Sequence, residues 1–473
     1  MTGPQPVAPQ TEGSVDIRES GEPRARWLRG PAWPLVVLLA GFPVFWALGL
    51  SEFAVPVMAV PMAVILYRRR PLKFPRGFLI WGVFLIWTLA GVLLLGIDPA
   101  GYVDGSASGR LIAFGVRELS YFSVTIVMLF VGNLTEEELP TRRLVRLLGV
   151  FFAWVVAGGL LGLLAPHFHF TSPFEMVLPH SIRSDDYVQN LVHPRASQVQ
   201  SVFAAETPRP SAPFAYTNEW GFTITLLGVW AVVAWYFLPG AKARIRPTLL
   251  VLTGIVILIY SLNRAAWIGV AVAVVYVAIV LALRGRLVLV VSMLLIGSLG
   301  MGALLATPLG AVVEQRLENG KSDDIRTFTT EKAFELVTVS PMVGLGSTRS
   351  TLGSASSIAV GESPKCPTCG NASIGMNGYL YMLMVTTGYG GVALFFTFGA
   401  VQVWQCRRLR SPVVLGGTAV ILMTAFYSLF YDAATWMLVP FVTLGLLWRE
   451  SRRAQATGEQ RPLLDTQGSS SAT

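Results

Sequence analysis

The sequence predicts an all-α polytopic membrane protein with about twelve transmembrane helices, and three observations predict it. First, 53% of the 473 residues are hydrophobic and only 13% are charged, roughly half the charge of an ordinary soluble domain; mean hydropathy is +0.58. Second, apolar runs near the ~20 residues that a helix needs to cross ~30 Å of hydrocarbon recur along the whole chain. Third, Lys and Arg fall between these runs in a two-sided pattern.

Residues 1–31 are rich in Pro, Gly, Glu and Arg and hold no apolar run, which predicts a disordered tail and not a cleavable signal peptide. Apolar runs follow at about 33–50, 53–67, 78–97, 113–133, 147–165, 220–238, 247–262, 265–283, 287–306, 379–404, 413–430 and 434–448, within a transmembrane domain of 32–449. The pairs flanking Ser51 and Asn263 are short, so each reads either as two spans or as a re-entrant or broken helix. Residues 450–473 predict a second disordered tail.

Orientation follows from the bases, because cytoplasmic loops retain positive charge. With both termini inside, the inward gaps carry Arg68, Arg69, Arg70, Lys73 and Arg76, then Arg142, Arg143 and Arg146, then Lys242, Arg244 and Arg246, then Arg284 and Arg286, then Arg407, Arg408 and Arg410. Together with the tails they hold 24 of the 36 Lys and Arg. A net charge of +9 and pI near 9.6 suit nucleic acid only on a soluble basic face. Here the bases flank greasy segments, so membrane lipid is the expected partner and nucleic acid is not.

Two long loops, 166–219 and 307–378, then face outside, and connections of this length carry function or disorder. The first holds all four histidines, His167, His169, His180 and His193, with Arg183, Arg195 and Arg209. The second contains an amphipathic stretch from Asp324 to Val339, which lies on the membrane interface, caps a cavity or simply packs within the loop.

Arg264 follows Ser261, Leu262 and Asn263 at the outer end of one apolar run. Beside hydrocarbon it either snorkels to the headgroups or offers a fixed cation to a lipid-linked phosphate, whose oxygens its planar fork binds in pairs. Arg209 lies in the Pro-rich segment Pro208 to Pro213, stiff enough to hold it near the membrane mouth; a solvated loop arginine is the plainer reading. Arg117 and Glu118 read as a self-satisfying ion pair. Cys366 and Cys369 offer two ligands only, so a local disulfide is expected ahead of a zinc site. The histidine spacing matches no familiar ligand pattern, and there is no Walker loop, dinucleotide glycine pattern or zinc-protease helix. No cofactor is expected, and the energy for any reaction resides in the substrate.

Three segments together resemble the O-antigen ligase and O-antigen polymerase superfamily, multi-spanning enzymes of bacterial surface polysaccharide assembly. They are Arg209 to Trp220, then Ser261 to Gly269, and then Arg326 through Pro341-Met342-Val343-Gly344-Leu345-Gly346 to Asn377-Gly378-Tyr379-Leu380 and Gly388. The resemblance covers the order of elements from about residue 200 to 400. It implies a bundle of the GT-C kind in the bacterial cytoplasmic membrane, roofed by the two loops. It further implies a glycan donor on polyprenyl diphosphate, and other polysaccharide-assembly proteins as possible partners.

On that resemblance Arg264, Arg209, Glu219 and Asn377 carry catalysis, and Arg326, Asn218, Tyr216, Arg349 and His193 bind substrate. One departure matters. Where the family has His-Asn, this chain reads Met376-Asn377, so the family histidine is absent and Glu219 or His193 stands in as a base. The missing histidine favours a metal-independent polymerase over a ligase that passes finished glycan to another acceptor. A secondary transporter or a lipid-linked sugar flippase is the alternative class, but no related halves are seen. A membrane scaffold or receptor would use the loops for protein contacts only.

Overall fold

The computed structural model describes residues 30–183, 186–201, 206–261, 263–305, 321–351, 372–432 and 437–456. Most of both predicted tails, and Cys366 and Cys369, lie outside the described residues.

Helix falls on every apolar run, because in hydrocarbon a chain must satisfy its own N–H and C=O groups. The helices are α1 (Trp33–Ala40), α2 (Phe42–Leu48), α3 (Ala54–Arg68), α4 (Phe78–Ala90), α5 (Ala107–Asn133) and α6 (Thr141–Leu164). Three short ones in the first long loop follow, α7 (Pro173–Val177), α8 (His180–Arg183) and α9 (Asp186–Val192). Then come α10 (Thr217–Tyr236), α11 (Gly240–Tyr260), α12 (Arg264–Leu283), α13 (Leu287–Leu305), α14 (Lys321–Val337), α15 (Tyr379–Cys406), α16 (Pro412–Tyr427) and α17 (Leu438–Ala456). Among the described residues five helices, α5, α6, α11, α12 and α15, are long and apolar enough to cross a membrane; α3, α4, α13 and α16 are apolar but shorter. The protein is an all-α membrane protein on this architecture.

Two antiparallel hairpins interrupt the helices. In the first loop β1 (Ser197–Ser201) pairs with β2 (Glu206–Pro210), and in the second β3 (Arg349–Ser350) pairs with β4 (Ser373–Ile374). The predicted loop helix is present as α14, shifted a few residues towards the N-terminus. The C-terminal tail begins later than expected, since α17 continues past Glu450 to Ala456. Its arginines explain this: buried Arg449 donates to Glu136 at 2.6 Å and to the Leu139 carbonyl at 2.8 Å.

The core lies between α4, α5, α6, α10, α15, α16 and α17 and is built on aromatic rings. Trp81 packs against Phe84, Phe395, Phe398 and Phe441 at centroid distances of 4.8–5.8 Å, and its indole N–H reaches Thr125 at 2.8 Å. Where two helices touch closely a glycine gives way. A Cβ at Gly132 on α5 would meet the Trp448 ring of α17 at 1.9 Å, and one at Gly269 on α12 would meet Tyr427 of α16 at 2.1 Å, the small-residue contact common between membrane helices. The outer surface is the inverse: Leu79, Leu93, Leu164 and Leu283 are about four-fifths exposed, which only a lipid surround makes favourable.

The loops sort by end. At one end Arg69, after α3, pairs with Glu138 between α5 and α6; Arg449 reaches Glu136; and Ser411, before α16, meets Glu450 at 2.9 Å. At the other end the α4–α5 connection bonds to β3 through Val103 and Ser350, and both long loops gather. The basic gaps after α3, between α5 and α6 and before α16 thus share one end.

Candidate functional site

The turn between α11 and α12 is the centre of the loop end. Ser261 closes α11 by donating its hydroxyl to the Leu258 carbonyl at 2.7 Å. Asn263 caps α12, its side-chain oxygen accepting from the Ala266 N–H at 3.4 Å and from the Tyr431 hydroxyl, as Asn does at a helix start. Half-buried Arg264 is thereby fixed as the first residue of α12. Gly221 of α10 lies beneath, where a Cβ would stand 2.4 Å from the Asn263 amide nitrogen.

Arg209 enters from β2. Its Nε donates to the Ser261 carbonyl at 3.1 Å, its strand register is opposite Gln198, and its carbonyl accepts from the Thr217 hydroxyl at 3.2 Å. The Thr217 N–H in turn donates to Gln198 Oε1 at 3.0 Å. One small network thus joins hairpin, α10 and the α11–α12 turn. Arg326 enters from α14, which is clamped over the bundle by buried Ala333 and Leu336, by Asn377 donating to Thr329 at 2.7 Å and by Tyr102 donating to the Lys332 carbonyl at 3.3 Å. Arg209 and Arg326 both act electrostatically on Tyr431, whose carbonyl accepts from the Tyr379 N–H at 2.7 Å.

Carboxyl groups meet the same place. Glu219, buried in the first turn of α10, accepts from the Tyr216 N–H at 3.3 Å. Its charged neighbours are Glu52, from the α2–α3 turn, and Asp432. Three arginines and three acids therefore come to the loop end, from the run through β2 into α10, the α2–α3 turn, the start of α12, α14 and the stretch after α16. Guanidinium forks can grip phosphate oxygens there, and a carboxylate can take a hydroxyl proton.

Other expected residues sit differently. Asn218 is exposed and Tyr216 half-buried beside Glu219. Asn377 acts as the latch of α14. His193 forms a separate network within the first loop, with His169 at 3.0 Å and Glu175 at 2.8 Å. Arg349 does not present itself to a ligand. It is 2% exposed, and its guanidinium donates to the Ser347 hydroxyl and to the carbonyls of Ser347, Thr348 and Ile97 at 2.8–3.2 Å, so it fastens the loop to the end of α4. Arg117 and Glu118 also divide their bonds: Arg117 donates to the Gly346 carbonyl and Glu118 accepts from Thr88 at 2.8 Å.

Tyr431, Asp432 and Glu52 were absent from the sequence reading. A signal for the acids existed, since Glu52 and Asp432 interrupt long apolar stretches and an ionisable group there is costly without a partner. Among the described residues no group of three His, Cys, Asp or Glu is placed to hold a metal ion. The chain matches no family model and no curated protein.

Proposed function

We propose that the protein is a membrane glycosyltransferase, which lengthens a glycan carried on polyprenyl diphosphate at the outer face of a bacterial cytoplasmic membrane. In this reading the bundle has twelve spans and both termini inside. The observation that carries it is the meeting of Arg209 and Arg326 at Tyr431, with Arg264 at the adjoining start of α12 and the carboxyl groups of Glu219, Glu52 and Asp432 close by.

The glycosidic bond to the carrier breaks with charge building on the departing diphosphate, and fixed cations stabilise that charge in a site from which water is largely excluded. In this reading Arg209 meets it from the hairpin, Arg264 from the start of α12 and Arg326 from the loop helix. Glu219 in its carboxylate form accepts the proton of the acceptor hydroxyl as the new bond forms; burial, and then Glu52 and Asp432 beside it, oppose a negative charge there, so the proton is held firmly once taken. His193 is a poorer choice, because both of its ring nitrogens are engaged elsewhere. Polymerase is preferred to ligase because the His of the ligase-type motif is replaced by Met376-Asn377.

The test is purified protein in vesicles, supplied with carrier-linked oligosaccharide, with product length read on a gel. Arg264→Ala is expected to lose about 10²–10³ of the rate, and Arg264→Lys to recover only part of it. Full-length product from the Ala variant overturns the role. Chain lengthening without any transmembrane gradient separates this reading from a transporter or flippase.

A further inference from the structure

The opposite end of the bundle holds a cavity of about 390 Å³ lined by Lys73, Phe74, Arg76, Gln405, Trp448, Ser451, Arg452 and Gln455. Three of these residues are basic and none is acidic. The loop after α3, the end of α15 and the last turns of α17 build its walls, so it opens where helices meet the headgroup layer.

We propose that this cavity binds the phosphate headgroup of an anionic phospholipid from the adjacent leaflet. The acids of this end are already engaged: Glu138 by Arg69, Glu136 by Arg449 and Arg453, and Glu450 by Ser411 and Arg453. Among the described residues no acid pairs with the Lys73 ammonium or the Arg76 guanidinium, both of which are exposed.

Arg452 supplies the second observation. One Nη donates to the Gly132 carbonyl and the guanidinium lies over the Trp448 ring, 4.8 Å from its centroid, yet its buried Nε has no hydrogen-bond partner. The group is thereby held as a fixed cation in the cavity wall, beside Lys73 and Arg76. In the same lining Phe74 is half exposed and offers an apolar surface to the part of a lipid next to its phosphate. Basic pockets between membrane helices recognise lipid headgroups in this way. A free phosphate ester shares the headgroup chemistry but would gain nothing from Phe74.

The experiment is native mass spectrometry and thermal unfolding of the full chain in detergent, titrated with phosphatidylglycerol, with phosphatidylcholine and with inorganic phosphate. Lys73→Gln with Arg76→Gln removes two exposed charges without touching the fold; Arg452→Gln removes the buried donor; Arg408→Gln, an exposed base outside the cavity, is the control. Phosphatidylglycerol is expected to bind and stabilise the wild type and the control, and to bind roughly 25-fold more weakly to the double variant, about fivefold per base. Equal binding of phosphatidylcholine, equal weakening in the control, or unchanged binding in the double variant overturns the proposal. Stabilisation by inorganic phosphate equal to that by lipid overturns the assignment to lipid.

Discussion

Glu175 shows how a single side chain organises the first long loop. Burial would raise its pKa, but hydrogen bonds from His193, Gln189 and the Ser172 N–H outweigh burial and hold the carboxyl below its ordinary value of 4.5. A depressed carboxyl contributes stability that is present above the unfolded value and lost as pH falls through the folded one. Acidification below pH 4.5 is therefore expected to loosen the segment from Phe170 to Ser201, read as faster cleavage by an acid-active protease; Glu175→Gln should flatten that acid dependence. Sequence pointed to the residues of this loop but not to their partners. His193 was visible as one of four histidines, whereas its bond to Glu175, 18 residues earlier, depends on a chain reversal through α7 to α9 that has no strong hydrophobic period. Arg349 fails for a related reason: nothing local distinguishes an arginine that binds a ligand from one that closes six carbonyls.

Helix α15 carries a break at Gly388, with φ 65° and ψ −175°. The turn Pro341–Gly346 fills that break. Tyr389 N–H donates to the Pro341 carbonyl at 2.7 Å and Gly390 N–H to the Met342 carbonyl at 3.2 Å, while Leu345 and Gly346 donate to Val385 and Thr386 at 2.8 and 2.9 Å. The indole of Trp87 closes the remaining Thr387 carbonyl at 3.0 Å. A Cβ at Gly388 would lie 2.4 Å from the Met342 backbone, and this backbone conformation, open essentially to glycine, costs any other residue about 1–3 kcal/mol. Gly388→Ala is expected to lower thermal stability by at least that amount in detergent, whereas Gly399→Ala in the same helix, with open space around it, should be neutral. The turn and Gly388 were legible as separate motifs because glycine and proline mark special backbone conformations. Their interlocking was not, since more than 40 residues and a helix entry separate them.

Hydropathy gave the location of helices across the whole chain, because the demand for internal hydrogen bonding in lipid leaves little choice. The number that cross is less legible: α3, α4 and α16 are apolar but short, and periodicity does not distinguish a short span from a buried helix. The distribution of bases predicted which loops share an end, and Arg69 with Glu138 and Arg449 with Glu136 join loops so grouped. Single cysteines at Arg408 and at Asn218, in a chain with Cys366, Cys369 and Cys406 replaced, are expected to react with a membrane-impermeant maleimide from opposite sides of intact vesicles. Reaction from one side removes the two-ended arrangement. The candidate site was only half legible, since motif order pointed to the three arginines while Glu52, Tyr431 and Asp432 arrive from turns with no motif.

Helices α11 and α12 carry the turn that holds Arg264, yet only 17% of the crossing window of each is buried within the protein. Hydrocarbon therefore surrounds most of both helices, and bilayer thickness acts on this pair alongside the contact of Gly269 with Tyr427. A thicker or thinner bilayer loads the turn against the hydrogen bond from Tyr431 to Asn263. On the proposed transferase reading, turnover in vesicles should accordingly pass through an optimum as acyl chains lengthen, with the host membrane acting as a mechanical tuner of the protein.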